Sequence, residues 1–453
     1  MGKFKYLFLS LIFSVILGVI SANRPILFIL VFLGILILMM YVRYMRGQIG
    51  IYHYVLTLIP LIIFSTPIKV ASGLPAIRLD DLWLLFGAVI FSSNLLLRKQ
   101  KIKFKWNWSV KLFLLFIFWI AVTILLLSFR EPNYYTHSDW FEIVKVGKLL
   151  IIFLLVLNMK WNEMQFNKIA NTVIISLFIT AVFGIFQYFN IANINSWLSN
   201  YYIAETKISG FYNNGRVVGT FGNPNIFAGA LIVGASLVMS KLMVKFKLSN
   251  TLILSAFVFA IFLTLSRTGL ISLIVVFMSV VFFSFLRYKK RIRVLVFSFF
   301  LIPIGLLLLK YVPENFFMRI GNLNNVNNDD SFTTRLYNWR YIFEARTSNN
   351  IITGTGPSGR LMITFDNEWL NLLTYYGLIG VFLFVLLFLS ILFKINTTEF
   401  KNNSWIQIAA QAMIVAFPIY MITSSVFYAL QLMPIVMICL ALAYRLSINE
   451  RAE

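Results

Sequence analysis

Residues 250–286 read NTLILSAFVFAIFLTLSRTGLISLIVVFMSVVFFSFL, two apolar runs separated only by Ser266-Arg267-Thr268-Gly269. Each run has the roughly 17–25 residues that a helix needs to cross a bilayer. With almost no loop between them, they read as successive spans that meet at a membrane surface. An arginine at such a boundary is costly unless it snorkels or pairs, so Arg267 is either an interfacial anchor or part of a functional site.

Similar runs recur along the chain, at about 6–22, 25–42, 50–66, 80–97, 110–128, 143–159, 168–189, 225–241, 294–311, 369–393, 405–423 and 426–444. The third and the last two are the weakest, which sets the expected number of spans at about 12–14. Composition agrees. The 453 residues are 60% hydrophobic and 12% charged, with a mean hydropathy of +0.85, far too little charge for a soluble domain. The expected fold is all-α, a single integral membrane domain over residues 1–453 built as a polytopic helix bundle. The first run follows Lys3 and Lys5 without a small-residue cleavage site, and reads as a retained anchor.

A net charge of +23 would suggest nucleic acid in a soluble protein. Here the positive-inside rule and anionic headgroups account for it, and no nucleic-acid partner is expected. With the N-terminus inside, the inner segments hold 24 of the 39 Lys and Arg residues, including RKQKIKFK (98–105) and RYKKRIR (287–293). The topology is therefore N-in and C-in. The single cysteine, Cys439, excludes a disulfide framework and a cysteine-based metal site, and nothing in the chain calls for a metal or cofactor.

Two outer connections are long, 190–224 and 312–368, and long loops in a compact architecture tend to carry function. The first ends in RVVGTFGNPN (216–225). Asn223 is suited to cap the next helix and Pro224 to occupy its first position. Gly219 and Gly222 permit unusual dihedrals. Together with Arg216 and Asn225, a helix start with free N–H groups would make an anion site. A capped helix beside a snorkelling arginine is the competing reading.

The second loop contains the polar stretch NLNNVNNDDS (322–331), then TTRLYNWRYIFEA (333–345). The latter is expected to form an amphipathic helix on the outer membrane surface, capped by Thr333 or Thr334 and carrying Arg335 and Arg340. It is followed by GTGPSG (354–359) and by DNEWLNLLTYYGLIG (366–380), which opens a span with the carboxylates Asp366 and Glu368. Asp366 suits a general base or a helix cap. Elsewhere, Lys145 and Lys148 stand three apart near a helix start, where they reach a headgroup or pyrophosphate, or snorkel. Asp80 and Asp81 suit caps of the fourth span, His53 a structural role and His137 an exposed one. A Walker loop, a His/Cys metal cluster and a Gly-x-Ser-x-Gly elbow are all absent from the sequence.

RVVGTFGNPN, SRTG, an outer loop with Arg335-x-x-x-Trp339 and Gly354-x-Gly356, and DNEWLNLLTYYGLIG follow one another in an order that resembles the O-antigen ligase/O-antigen polymerase superfamily, over roughly residues 170–393. The resemblance implies a glycosyltransferase on the outer face of the bacterial plasma membrane. It also implies that Arg216 and Arg267, with Arg335 as a third candidate, engage the pyrophosphate of an undecaprenyl-linked glycan. Arg340, Glu368, Asn223, Asn225, Lys145 and Lys148 complete the candidate substrate-binding set. Ligases of the family carry a histidine where this chain has Asp366. An aspartate followed by asparagine is more similar to the polymerase branch, and leaves the base as Asp366 or the nearby Glu368. The implied reaction is metal-independent polymerisation of undecaprenyl-pyrophosphate-linked repeat units into capsular polysaccharide, exopolysaccharide or O-antigen. Its partners are the lipid-linked donor and acceptor, the bilayer, and a flippase and chain-length regulator. Two other readings stand beside it: ligase-type transfer to another acceptor, and a lipid-linked oligosaccharide flippase, which would distribute charge through the bundle interior.

Overall fold

The computed structural model describes residues 51–67, 77–87, 107–158, 163–203, 208–213, 215–287, 330–344, 350–357, 366–396, 404–427 and 429–449. The regular structure there is helical: α1 (Ile51–Phe64), α2 (Trp108–Arg130), α3 (Phe141–Asn158), α4 (Glu163–Tyr188), α5 (Ile194–Tyr202), α6 (Ile208–Asn213) and α7 (Pro224–Val244). There follow α8 (Leu248–Leu263), α9 (Arg267–Arg287), α10 (Asp330–Ile342), α11 (Glu368–Asn396), α12 (Ser404–Tyr420) and α13 (Leu432–Asn449). Residues 79–87 are also helical. The protein is an all-α polytopic membrane protein. Among the described residues, five helices are long and apolar enough to cross a bilayer: Trp108–Arg130, Met164–Tyr188, Pro224–Val244, Arg267–Arg287 and Glu368–Asn396. The expected spans 6–22, 25–42 and 294–311, and most of 80–97, lie outside the described residues.

Contacts divide the chain into two compact units, Met1–Tyr54 with Trp83–Ile102, and Val55–Leu82 with Lys103–Glu453. In the first, the Tyr54 ring stacks on Trp83 at 5.6 Å between centroids, and the Tyr54 hydroxyl donates to the Trp83 carbonyl at 2.5 Å. Every feature described below belongs to the second.

The centre of the second unit is α7. It packs against α4, α8, α9 and α12, and almost its whole length is buried. A helix apolar on every side has no lipid-facing stripe and takes the middle of the assembly. Its run AGALIVGASLVMS (228–240) is rich in Gly, Ala and Ser, which lets neighbouring backbones come close where lipid offers no hydrophobic drive. Around it, α9 lies on α12, α3 on α13 and α11 on α2.

Helix α11 is 29 residues long, about 44 Å if straight, which exceeds the bilayer core. It is broken at Gly377, whose φ of 64° and ψ of −171° are not helical. Breaking a membrane helix frees backbone groups that must be satisfied within the protein. Residues 350–357 satisfy them. The N–H groups of Thr355 and Gly356 donate to the carbonyls of Thr374 (2.7 Å) and Tyr375 (2.9 Å). Those of Leu378 and Ile379 donate to Ile351 (2.8 Å) and Ile352 (3.3 Å). Two left-handed glycines make the fit possible. A Cβ on Gly354 would stand 2.4 Å from the Tyr375 oxygen, and one on Gly377 2.3 Å from the Ile352 oxygen. From α2, Trp119 donates to the Tyr376 carbonyl at 2.8 Å, and Arg130 donates to the Asn350 and Thr353 side chains at 3.0 Å.

A second junction forms at the end of α1, where the terminal carbonyls have no helical partners. The Arg78 guanidinium donates to the Ile62 carbonyl at 2.8 Å. Thr220 donates to Ile63 at 3.1 Å, and Tyr202 to Phe64 at 2.7 Å. Arg78 also pairs with the fully buried Asp80 at 3.0 Å, and Lys148 joins Asp80 and, at 2.6 Å, Asp81. Asp81 additionally accepts the Arg78 backbone N–H at 3.0 Å, so one of the two expected caps is present at this helix start.

Substituting Gly377 by Ala should lower the stability of the purified protein by at least about 2 kcal/mol, since strain at a positive φ is added to a backbone clash. The control is Gly147→Ala in α3, where an added Cβ meets nothing within 4 Å. Its thermal unfolding midpoint should stay level or rise. The charged junction predicts a second pattern. Asp80→Asn and Lys148→Met should each cost about 3–5 kcal/mol by stranding a buried partner, and the double variant should cost less than their sum.

Candidate active site

The site is built on the turn between α8 and α9. Helix α8 ends at Leu263, and Leu265 follows in the left-handed region at φ 50°, packed against Phe262, Val258 and Leu270. A non-glycine residue holds that conformation only where packing fixes it. Ser266 then caps α9, its Oγ accepting the Gly269 N–H at 3.2 Å. Gly269 lets α9 approach α7, since a Cβ there would lie 3.1 Å from that of Ala228. The Thr268 hydroxyl bonds to that of Thr423. Arg267, half-buried, is the first residue of the helix.

RVVGTFGNPN wraps onto the same turn. Arg216 donates through Nε to the Thr264 carbonyl at 2.9 Å and through Nη2 to Asn225 Oδ1 at 2.8 Å. The Val217 N–H donates to the Leu263 carbonyl at 3.2 Å, and Gln187 Oε1 accepts the N–H groups of Val218 and Gly219. Gly219 and Gly222 both have positive φ, as the turn requires. One expectation is corrected here. Asn223 accepts the N–H groups of Asn225 (2.8 Å) and Ile226 (3.3 Å), and Pro224 has none to offer. The first turn of α7 is closed by its own cap, so positive charge at this place comes from arginine and not from open helix N–H groups. The side-chain oxygens of Asn223 and Asn225 serve the cap and Arg216 respectively.

At the start of α11, Asn367 and not Asp366 is the cap, its Oδ1 accepting the Leu370 N–H at 3.1 Å. Asp366 has a side chain 55% exposed and an ion pair with Arg335 of α10 at 3.3 Å. Helix α10 begins at Asp330, before the expected Thr333 or Thr334, and exposes Leu336, Tyr337 and Tyr341. Glu368, only two residues from Asp366, is 0% exposed. Its N–H donates to the Met421 carbonyl at 2.8 Å, and its Oε2 accepts the Phe427 N–H at 3.1 Å.

Those last contacts reveal a part of the site that the sequence reading missed, the linker 421–431 between α12 and α13. The expected final span began at 426, but the helix begins at Leu432 because the linker backbone is bonded to its neighbours. Tyr420 donates to the Asn225 carbonyl, Thr423 meets Thr268, and Ser425 accepts from Asn371 at 3.1 Å. Trp369 donates to the Pro418 carbonyl at 2.9 Å. The starts of α7, α9 and α11 are thereby drawn to one end of the assembly. The polar run Thr423-Ser424-Ser425 inside apolar sequence was the available signal.

The other candidates have ion-pair partners of their own, and Lys145 and Lys148 line a small cavity with Phe427 and Ala429 of the linker. Arg340 is 81% exposed and pairs with Glu344 at 2.8 Å, whose hydrogen bond pushes the guanidinium pKa further up. Lys145 pairs with Glu142 at 2.5 Å, and Lys148 belongs to the buried junction with Asp80 and Asp81. Among the described residues, no group of three His, Cys, Asp or Glu side chains is placed to hold a metal ion.

Two half-buried arginines on one turn, with a third paired to an exposed aspartate on the next helix start, can bind a phosphate group and accept a proton beside it. No curated protein matches the chain significantly. Residues 251–385 match a family model described as O-Antigen ligase, a stretch that contains SRTG, the second long loop and DNEWL. Over these residues the chain is similar to the O-antigen ligase family, and the match supports glycan transfer in envelope polysaccharide synthesis for this membrane protein.

Proposed function

We propose that the protein polymerises undecaprenyl-pyrophosphate-linked repeat units on the outer face of the bacterial plasma membrane, by metal-independent glycosyl transfer. The observation that carries this reading is the exposed Asp366 held beside Arg335 at the start of α11, at the end of the assembly where Arg216 and Arg267 share a turn. The acceptor hydroxyl of a new repeat unit attacks the anomeric carbon of the growing chain. The bond from that carbon to the diphosphate oxygen breaks, and the lipid diphosphate leaves with the electron pair. Asp366 takes the hydroxyl proton. Arg216 and Arg267 meet the charge that builds on the departing diphosphate, as permanently charged bidentate partners do without a divalent ion.

The carrier needs an apolar place next to this charged centre. A cavity of about 210 Å³ between α11, α12 and α13 is lined by Trp369, Phe384, Met413, Pro418, Met421 and Phe427 among others. Trp369 and Met421 also border the charged centre, through the bonds that tie α11 to the linker. Such a cavity supports a lipid-linked donor. Transfer to a different acceptor, the ligase reaction, is the second reading, and the family description favours it. A flippase reading loses ground, because the buried charges of Arg78, Asp80 and Lys148 are matched within one junction.

The test is chain growth by purified protein supplied with lipid-linked repeat units. Polymer attached to the carrier is expected, and persists in EDTA. Glycan on another acceptor would mean ligase. Arg267→Lys should slow turnover about 100-fold or more, since a lysine cannot reproduce the planar fork. Asp366→Asn should be at least as slow with the protein still folded, whereas Arg340→Ala should change turnover less than about twofold, being an exposed position whose partner is Glu344. Equal activity in Asp366→Asn and wild type would remove Asp366 from the mechanism.

A further inference from the structure

Tyr420 ends α12 and its side chain is fully buried. A buried phenol needs a partner for its hydroxyl, and the Asn225 carbonyl at the start of α7 supplies it. Asn225 also holds an arginine, its Oδ1 receiving Arg216 Nη2 at 2.8 Å. The residues after Tyr420 add further joints, through Met421 to Glu368 on α11 and through Thr423 to Thr268 on α9, and Thr268 directly follows Arg267. Two guanidinium groups that must meet one diphosphate need a fixed separation, and the end of α12 is bonded to the neighbours of both.

We infer that Tyr420 is a positioning residue that sets the place of Arg216 relative to Arg267 through the Asn225 carbonyl. The inference rests on the proposed role of those arginines at a lipid-linked diphosphate. Tyr420 touches no substrate. Its hydroxyl acts through Asn225, so its removal leaves both charges present but their separation unfixed.

The experiment is a kinetic cycle on the purified full-length protein with lipid-linked repeat units, using Tyr420→Phe, Arg216→Ala and the double variant. Tyr420→Phe should lower kcat about 10–100-fold with KM changed less than about twofold, the loss expected of a small misplacement. In the Arg216→Ala background the same substitution should cost less than about twofold more, because residues acting as one unit are not additive. Asn225→Ala should reproduce the kcat loss while keeping the Tyr420 bond to the backbone, which keeps the inference testable if Tyr420→Phe folds poorly. Losses that multiply independently would overturn it, as would a Tyr420→Phe rate within twofold of wild type. Arg216→Ala at wild-type rate would overturn both the inference and the reading beneath it, whereas an inactive Arg216→Ala with independent Tyr420 losses overturns the inference alone.

Discussion

Backbone groups at the ends of membrane helices have no water to fall back on, and the stretch 420–427 answers that constraint for three helices at once. Its groups reach Asn225 on α7, Thr268 on α9 and Glu368 and Asn371 on α11. Each bond alone is worth about 1 kcal/mol net, but an unmade one in a buried apolar setting costs several. The connections therefore act together: releasing the linker would strand polar groups on all three helix starts. The arginines and the aspartate of the site ride on those same starts, so scaffold and site have one set of joints.

The contrast between Asp366 and Glu368 follows from this arrangement. A carboxylate inside the joint, bonded to the Phe427 N–H and wholly buried, is committed to holding the linker in place. Moving it to take up a proton from substrate would open the joint. Two residues earlier the chain has not yet entered the helix, and the Asp366 side chain stands more than half exposed with an arginine beside it. Position relative to the cap at Asn367 thus separates one carboxylate from the other, although sequence proximity makes them look interchangeable.

Much of the helical plan was legible in the chain because spanning demands long apolar runs, and α2, α7, α9 and α11 begin within a few residues of where those runs do. Asn223-Pro224 announced the start of α7 for a local reason, the geometry of capping. The linker was not legible. It is short, its donors and acceptors are mostly backbone, and its partners are distant in sequence, as with Tyr420 and Asn225. The charged junction was not legible. Lys148 reads from the sequence as a headgroup contact or a snorkelling lysine and Asp80 and Asp81 as caps, and nothing local says that these groups, almost seventy positions apart, pair with one another.

The motif SRTG shows how a short signature can be structural and chemical together. Ser266 caps the helix, Thr268 joins it to the linker, and Gly269 admits α7 at close range. Leu265, held at positive φ by packing, turns the chain into that cap. These neighbours fix the backbone of Arg267 from both sides and from below, so the cost of ordering it is met when the protein folds and not when substrate arrives. Preorganised charge of that kind stabilises a transition state far better than a side chain that must find its place. The same logic explains why a capped, tightly packed turn is compatible with an active one. Here the capping residues do not compete with the arginine; they fix the backbone from which the proposed reaction would draw its charge.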